Sequence, residues 1–153
     1  KHKLLFIVDN CFATPYLQTP IQFGADLVIH SATKLMDGQG RLLGGITVGK
    51  KELIRELYLF TRNTGASLSP FNAWVLSKSL ETLSVRVDRH CENALALAQK
   101  LEQLEEINWV KYPFLPSHPQ YKLAQKQMKQ GGTIVSFELK GGVEAGRNFI
   151  NKI

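Results

Sequence analysis

A lysine close to two hydroxyl residues is the part of this 153-residue sequence best suited to chemistry. Lys34 follows Ser31 and Thr33, directly after the apolar run 26–29, which is typical of a buried strand. At the end of a strand we expect Lys34 to be partly desolvated, and a desolvated amine captures carbonyl compounds as Schiff bases. Hydroxyls on a tight turn bind phosphate well. The pattern therefore predicts a site for an aldehyde that also carries a phosphate.

An aspartate ends a second short apolar run, 25 residues before this lysine. Asp9 closes the run 4–8. If the two strands are parallel neighbours, their carboxyl ends lie about 5–10 Å apart, which is one or two strand spacings. Pyridoxal phosphate needs such a pair, an amine for its aldehyde and a carboxylate that keeps its pyridine nitrogen protonated. The residues therefore predict that this cofactor lies between Asp9 and Lys34.

Several motifs resemble the Cys/Met-metabolism family of pyridoxal phosphate enzymes. They are the segments 8–15, 24–26, 30–34, 37–45 and 68–74. The last two are most similar to the O-succinylhomoserine sulfhydrylase branch of that family, and the resemblance covers essentially the whole chain.

This resemblance implies roles for individual residues. Lys34 would be the catalytic residue and would carry the cofactor, and Asp9 would hold the ring nitrogen. Ser31 and Thr33 would bind the phosphate. Many relatives have threonine where this chain has Cys11, so the contribution of that side chain stays open.

The resemblance also implies an activity. The reaction is a pyridoxal phosphate-dependent γ-replacement on an O-acylhomoserine, and O-succinylhomoserine is the favoured substrate. Sulfide is the nucleophile, and the product is homocysteine for methionine biosynthesis. Cystathionine γ-synthase and cystathionine lyase would use the same Lys34 and Asp9 and stay as alternatives. A different class of protein, a non-catalytic α/β module that binds an anion at 38–45 or serves in assembly, also stays open. The family implies a homo-oligomer, a tetramer built from dimers, with small-molecule substrates as partners.

The predicted fold class is α/β, part of a fold-type I transferase with a mixed, mostly parallel sheet. Residues 1–64 would end a large cofactor-binding domain, and residues 106–153 would begin a small α+β domain. Between them, residues 65–105 would form a long linking helix, because apolar residues recur there at steps of three and four. Two helices broken near Ser84 or Asp88 are the alternative. We expect the chain to be a fragment, lacking the N-terminal part and C-terminal end of its relatives, and inactive alone.

The elements around Lys34 follow from local patterns. The glycine-rich stretch 37–45 precedes the strand-like run 46–49, so it predicts a mobile turn between strands and not a dinucleotide-binding loop. Residues 50–59 carry the apolar stripe of a helix that covers the sheet. The polar stretch 61–67 predicts a loop, in which Arg62 and Asn63 would be exposed; contact of these two residues with a ligand is the alternative.

The composition excludes several other functions. The net charge is +6, but no basic run is longer than Lys50-Lys51, and dispersed charge does not favour nucleic-acid binding. There is neither an 18-residue apolar run nor a signal-peptide pattern, so no membrane role is expected. Cys11 and Cys91 fit no metal or redox spacing, and two unpaired thiols favour the cytoplasm. A nucleophilic Cys91 assisted by His90 is disfavoured, because adjacent residues of a helix point in different directions. No metal site is predicted.

Overall fold

The computed structural model describes residues 2–153, which form an α/β chain of the predicted class. The strands are β1 (Ile7–Asp9), β2 (Leu27–Ser31), β3 (Gly45–Gly49), β4 (Ile107–Lys111) and β5 (Ser136–Leu139). The helices are α1 (Thr14–Leu17), α2 (Lys51–Thr64), α3 (Pro70–Leu80), α4 (Leu83–Leu101), α5 (Tyr121–Gln127) and α6 (Gly142–Ile150). A 3₁₀ turn, Pro20–Phe23, and a π-helical turn, Ala32–Met36, flank β2. Contacts divide the chain into two compact units, the first ending at Asp88 and the second beginning at Arg89.

The first unit contains a three-stranded sheet in the order β1-β2-β3. β1 runs parallel to β2, with Asp9 opposite Ile29, so the condition under which the two strand ends lie together is met. β3 runs antiparallel to β2, with Ser31 opposite Gly45. The sheet is therefore mixed, as predicted, but among the described residues only one of its two pairings is parallel.

Asp26 fixes the start of β2 to the elements on either side of it. Its carboxylate accepts a hydrogen bond from the Phe6 backbone N–H (2.8 Å) and forms an ion pair with Lys50. Leu27 and Val28 follow and are buried, with 7% and 1% of their surfaces exposed. The strand that leads to the Lys34 turn is therefore anchored by the residue before it and by two buried apolar side chains at its start.

α2 is longer than the sequence pattern predicts. It continues to Thr64 and ends at Gly65, whose φ of +79° suits glycine and whose N–H donates to the Thr61 carbonyl. Arg62 therefore lies in the last turn of a helix, and the prediction of a loop over residues 61–64 is wrong. The hydroxyls of Thr61 and Thr64 bond to carbonyls three and four residues back in the helix, so their polarity does not interrupt it.

The single helix predicted for residues 65–105 is two helices, and the prediction is wrong in this respect. α3 ends at Leu80 and α4 begins at Leu83, so the break lies at residues 81–82, before the alternative positions considered. The Ser79 carbonyl accepts the N–H of Thr82, a bond three residues apart that tightens the turn and interrupts the i→i−4 series. The assignment of the flanking segments to a large and a small domain stays a prediction.

In the second unit, β4 and β5 form an antiparallel pair with an irregularity between Ile107 and Trp109. The order β4-α5-β5-α6 agrees with the strand–helix–strand–helix order in the sequence pattern. The buried cluster of this unit is Ala94, Ala98, Val110, Tyr112 and Leu115. Within residues 2–153, no helix combines the length and the apolar character needed to cross a membrane.

Two glycines at opposite ends of β3 should respond differently to alanine. A Cβ on Gly49 would lie 2.3 Å from the Asp26 carbonyl oxygen. For a Cβ on Gly45, the nearest described atom would be the His30 carbonyl oxygen, at 3.4 Å. Backbone cannot yield as a side chain can, so we expect Gly49→Ala to lower the free energy of unfolding by roughly 1–3 kcal/mol. Gly45→Ala, the control, should change it by less than about 0.5 kcal/mol. Urea unfolding followed by circular dichroism measures both, and equal effects would contradict this packing.

Candidate active site

Asp9 and Lys34 lie at the same edge of the sheet. Asp9 is the last residue of β1, and Lys34 comes three residues after the end of β2. Because β1 and β2 are parallel, both strands deliver these residues at their carboxyl ends. The electrostatics agree, since the Cys11 thiol interacts with both the Asp9 carboxylate and the Lys34 ammonium. The structure therefore brings the predicted acid and amine to one place.

The turn that carries Lys34 is not a regular α-helix. Residues 32–36 form one π-helical turn, and Lys34 itself has φ −84° and ψ −128°, outside the helical region. The side chain is exposed among the described residues. The expected partial desolvation of Lys34 is therefore wrong for residues 2–153. Within this turn the buried side chains are those of Ala32 and Met36, and Lys34 is not among them.

Asp9 is held by the residue two positions after it. Its Oδ1 accepts a hydrogen bond from the Cys11 backbone N–H at 3.0 Å. Interaction with the Cys11 side chain and this backbone N–H lowers the pKa of Asp9 below its ordinary value. The exposed carboxylate is therefore ionised at neutral pH, which is the state needed to hold a proton on a ring nitrogen.

Cys11, whose contribution the sequence leaves open, connects the two strand ends. Its Sγ accepts the Ser31 backbone N–H at 2.9 Å, while its own N–H donates to Asp9. Burial, and then the Asp9 carboxylate, raise the pKa of the thiol, with smaller opposing effects from Ser31 and Lys34. The thiol is therefore protonated at neutral pH. Cys91, by contrast, is buried with 2% of its surface exposed.

The two predicted phosphate ligands differ in what they already bind. The Thr33 hydroxyl accepts the Gly44 N–H at 3.0 Å and faces the Gly44 carbonyl at 3.4 Å. Thr33 is thus part of the connection between the Lys34 turn and β3. Ser31 contributes its backbone N–H to Cys11, and none of the hydrogen bonds found within residues 2–153 involves its hydroxyl. Of the two hydroxyls, that of Ser31 has the greater freedom to bind an added phosphate.

Asn10 supports the backbone that follows Asp9. Its side chain is buried, and Nδ2 donates to the carbonyls of Thr14 (3.0 Å) and Gln18 (2.9 Å). Thr14 is also buried and has a φ of +60°, a left-handed conformation that is strained for a β-branched residue. The Asn10 side chain and the Thr14 N–H, which donates to the Asn10 carbonyl, stabilise this conformation. Neither residue had been identified as part of the site from the sequence.

His30 lies beside these residues with one nitrogen unpaired. Its ring is buried, with 4% of its surface exposed, and Nδ1 has no hydrogen-bond partner among the described residues. Burial lowers the pKa of His30, so the ring is neutral near pH 7. A neutral ring adds no positive charge to the surroundings of Asp9.

Asp37 organises the turn after Lys34. It is completely buried, and it accepts hydrogen bonds from the Arg41 backbone and guanidinium and from the Ser79 hydroxyl. Burial alone would raise the pKa of Asp37, but these hydrogen bonds outweigh it and lower the pKa to about 2. The turn predicted to be mobile is therefore attached to α3 through Ser79. No local pattern predicts this contact, since residues 37 and 79 are far apart in the chain.

The site thus combines an exposed primary amine, an ionised carboxylate and a hydroxyl at one sheet edge. These groups fit pyridoxal phosphate, which needs a partner for its aldehyde, its ring nitrogen and its phosphate. Among residues 2–153, no three histidine, cysteine, aspartate or glutamate side chains are grouped so that they could hold a metal ion.

Known proteins resemble the chain over nearly its whole length. A match to the family described as Cys/Met metabolism PLP-dependent enzymes covers residues 1–153. The O-succinylhomoserine sulfhydrylase of Pseudomonas aeruginosa is 52% identical over 147 residues, which are 96% of this chain and 36% of that protein. An L-methionine gamma-lyase of Pseudomonas putida is 47% identical over 155 residues, covering 100% of this chain and 39% of that protein.

A solved structure agrees with this result. The cystathionine gamma synthase of Xanthomonas oryzae pv. oryzae, in complex with aminoacrylate and cysteine, matches with a TM-score of 0.94 and 41% identity. The match covers 97% of this chain and 39% of that one. The chain therefore spans a little over a third of the length of the relatives it matches. A cystathionine γ-synthase is among the alternatives that the motifs imply, whereas a methionine gamma-lyase is not.

Replacing Asp37 by asparagine tests the buried cluster and its pH dependence. Asn keeps the shape but removes the charge that Arg41 binds, so we expect a loss of roughly 2 kcal/mol or more of unfolding free energy at pH 7. Because folding lowers the pKa of Asp37 from 3.8 to about 2, the stabilisation is complete above about pH 4 and is lost as the pH falls toward 2.

The stability difference between Asp37→Asn and the parent should accordingly shrink over that pH range. Urea unfolding at pH 7, 4 and 3 measures it. Glu81→Gln is the matched control, because Glu81 forms an exposed pair with Lys78. A difference that stays constant down to pH 3 would contradict a strongly lowered pKa at Asp37.

Proposed function

Because the chain belongs to the Cys/Met metabolism PLP-dependent enzyme family, we propose that it forms the cofactor-lysine part of an O-succinylhomoserine sulfhydrylase. This enzyme would replace the γ-succinyloxy group of O-succinylhomoserine with sulfide, releasing succinate and producing homocysteine for methionine biosynthesis. The carrying observation is the parallel register of β1 and β2, which brings the Asp9 carboxylate and the Lys34 amine to one sheet edge. The chain covers 36% of the sulfhydrylase relative, so this activity is proposed for a polypeptide that contains it.

The bound cofactor would supply an electron sink for the charge that develops at the substrate α-carbon. In this proposal the Lys34 amine would hold the cofactor, and its Nζ would move protons at the α- and β-carbons of the substrate. The exposure of Lys34 leaves this nitrogen accessible to a substrate.

Asp9 would hold the proton on the ring nitrogen. The Cys11 N–H and thiol keep the carboxylate ionised, so it can pair with a protonated pyridine nitrogen. Cys11 also receives the Ser31 N–H, so it fixes the phosphate-binding residue relative to the acid. Thr33 would bind phosphate only by giving up part of its hydrogen bonding to Gly44.

Two related activities have specific support. Cystathionine γ-synthase is favoured by the TM-score of 0.94, and a methionine γ-lyase by the 47% identity over the full chain. Both would use Lys34 and Asp9 in the same roles. The non-catalytic module considered from the sequence is no longer favoured, because the chain belongs to an enzyme family. A cystathionine lyase remains a further alternative within that family.

The cellular setting is part of the proposal. The O-acylhomoserine and sulfide would be its small-molecule partners, and a tetramer built from dimers its assembly. A cytoplasmic location is proposed from the sequence, because the spacing of its two cysteines fits neither a metal nor a redox motif.

Product analysis tests the activity, using a polypeptide of the relatives' length that contains this chain. With O-succinylhomoserine, we expect sulfide to yield homocysteine faster than cysteine yields cystathionine, and methionine alone to release little methanethiol. Lys34→Ala should lower turnover by roughly 10³-fold and remove the visible absorption band that borohydride erases. Lys51→Ala, an exposed lysine at the start of α2, is the control. A band that survives in Lys34→Ala would refute the assignment of the cofactor lysine, and faster methanethiol release would favour the lyase.

Asp9→Asn separates cofactor binding from chemistry. Asparagine keeps the size of the side chain but cannot hold a protonated ring nitrogen by charge. We expect the cofactor to stay bound while kcat falls by roughly 10²-fold or more. Glu52→Gln, which removes a carboxylate in the first turn of α2, should leave kcat unchanged. Near-normal kcat in Asp9→Asn would contradict the role given to Asp9.

A further inference from the structure

Arg86, in the first turn of α4, binds the backbone that directly follows Lys34. Its Nη1 donates to the Leu35 carbonyl at 2.8 Å, and its Nη2 donates to the Met36 carbonyl at 3.1 Å. The same Nη2 also donates to the Ser79 carbonyl at 3.0 Å, near the end of α3. One guanidinium thus joins the Lys34 turn to the break between α3 and α4.

The Lys34 turn needs such a partner because it is only five residues long. Two of its carbonyls accept hydrogen bonds from the residues directly after it, since the Asp37 N–H donates to the Ala32 carbonyl and the Gly38 N–H to the Lys34 carbonyl. The carbonyls of Leu35 and Met36 come last in the turn, and no further helical N–H groups follow to donate to them, as at any helix C-terminus. A cation at this end is also favoured by the helix dipole.

Both the geometry and the sequence are adapted to this contact. A Cβ on Gly38 would lie 2.0 Å from Arg86 Nη1, so only glycine leaves room for the guanidinium. The φ of +72° at Gly38 suits glycine as well. On the other side, Arg86 Nε donates to the Thr82 hydroxyl at 3.1 Å, which orients the guanidinium plane. Every nitrogen of the group is therefore used.

We propose that Arg86 is a positioning residue for Lys34, and that its guanidinium sets the backbone from which the lysine projects. Arg86 touches neither the cofactor nor the substrate in this proposal. It acts by fixing the two carbonyls after Lys34, while Asp37 and Thr33 fix the turn to α3 and β3. The inference rests on the proposed function for its effect on catalysis, but the contact to the turn is independent of that function.

The first experiment measures the turn without cofactor. In Arg86→Lys, a single ammonium cannot span carbonyls of the turn and of α3, although the charge is kept. Amide hydrogen exchange of Asp37 and Gly38 should become at least about tenfold faster, and amides of α2 should not change. Arg89→Lys, three residues further along α4 and exposed, is the matched control. Unchanged exchange at Asp37 and Gly38 would overturn the proposal, whatever the activity of the enzyme.

The second experiment measures catalysis in the cofactor-loaded polypeptide. Per bound cofactor, we expect Arg86→Lys to lower kcat about tenfold or more and to change KM less than about threefold. A purely structural role would instead reduce the amount of folded protein and leave kcat per bound cofactor unchanged, which would overturn the proposal. If the parent enzyme shows neither a visible band nor turnover, the proposed function fails, and amide exchange alone decides the role of Arg86.

Thr82→Val provides a milder variant if Arg86→Lys does not fold. It removes the acceptor of Arg86 Nε and leaves the guanidinium in place. We expect amide exchange at Asp37 and Gly38 to become about twofold to threefold faster, with kcat reduced in the same proportion. Exchange and kcat equal to those of the parent would contradict the orientation role and overturn the proposal.

Discussion

The register between β1 and β2 is the constraint on which the site depends. Asp9 is opposite Ile29, and the pairing continues one residue further, because the Asn10 N–H donates to the Ile29 carbonyl at 2.8 Å. A slip of one residue would turn Asp9 to the other face of the sheet and leave the amine without its acid. Two side chains join the strands directly: that of Asp26 accepts the Phe6 N–H, and that of Cys11 accepts the Ser31 N–H. The Asn10 side chain supports the backbone just after β1.

The parts of the site that the sequence predicted are those specified by short stretches of chain. Two apolar runs end in Asp9 and in the segment 30–34, and strand ends can be located from such runs alone. The structure confirms that these strands are parallel neighbours, and the match to the family confirms the resemblance inferred from the motifs. The roles of Lys34, Asp9, Ser31 and Thr33 stay proposals, supported by their positions.

The parts that the sequence did not predict depend on contacts between distant residues. The break between α3 and α4 lies where the Ser79 carbonyl is shared by Thr82 and Arg86, within an otherwise continuous apolar stripe. The exposure of Lys34 was missed for a related reason, because solvation at a strand end depends on which segments cover it. A local pattern specifies the strand end and contains no information about what covers it.

The Cys11 thiol has a consequence for the chemical durability of the site. Peroxides and electrophiles react with the thiolate form of cysteine. The rate of this reaction is therefore lower when a smaller fraction of the thiol is ionised. Burial and the Asp9 carboxylate keep this thiol protonated, although it lies close to a reactive amine. The residue that aligns the two strand ends is thereby protected from oxidation and alkylation by the same carboxylate that it helps to hold.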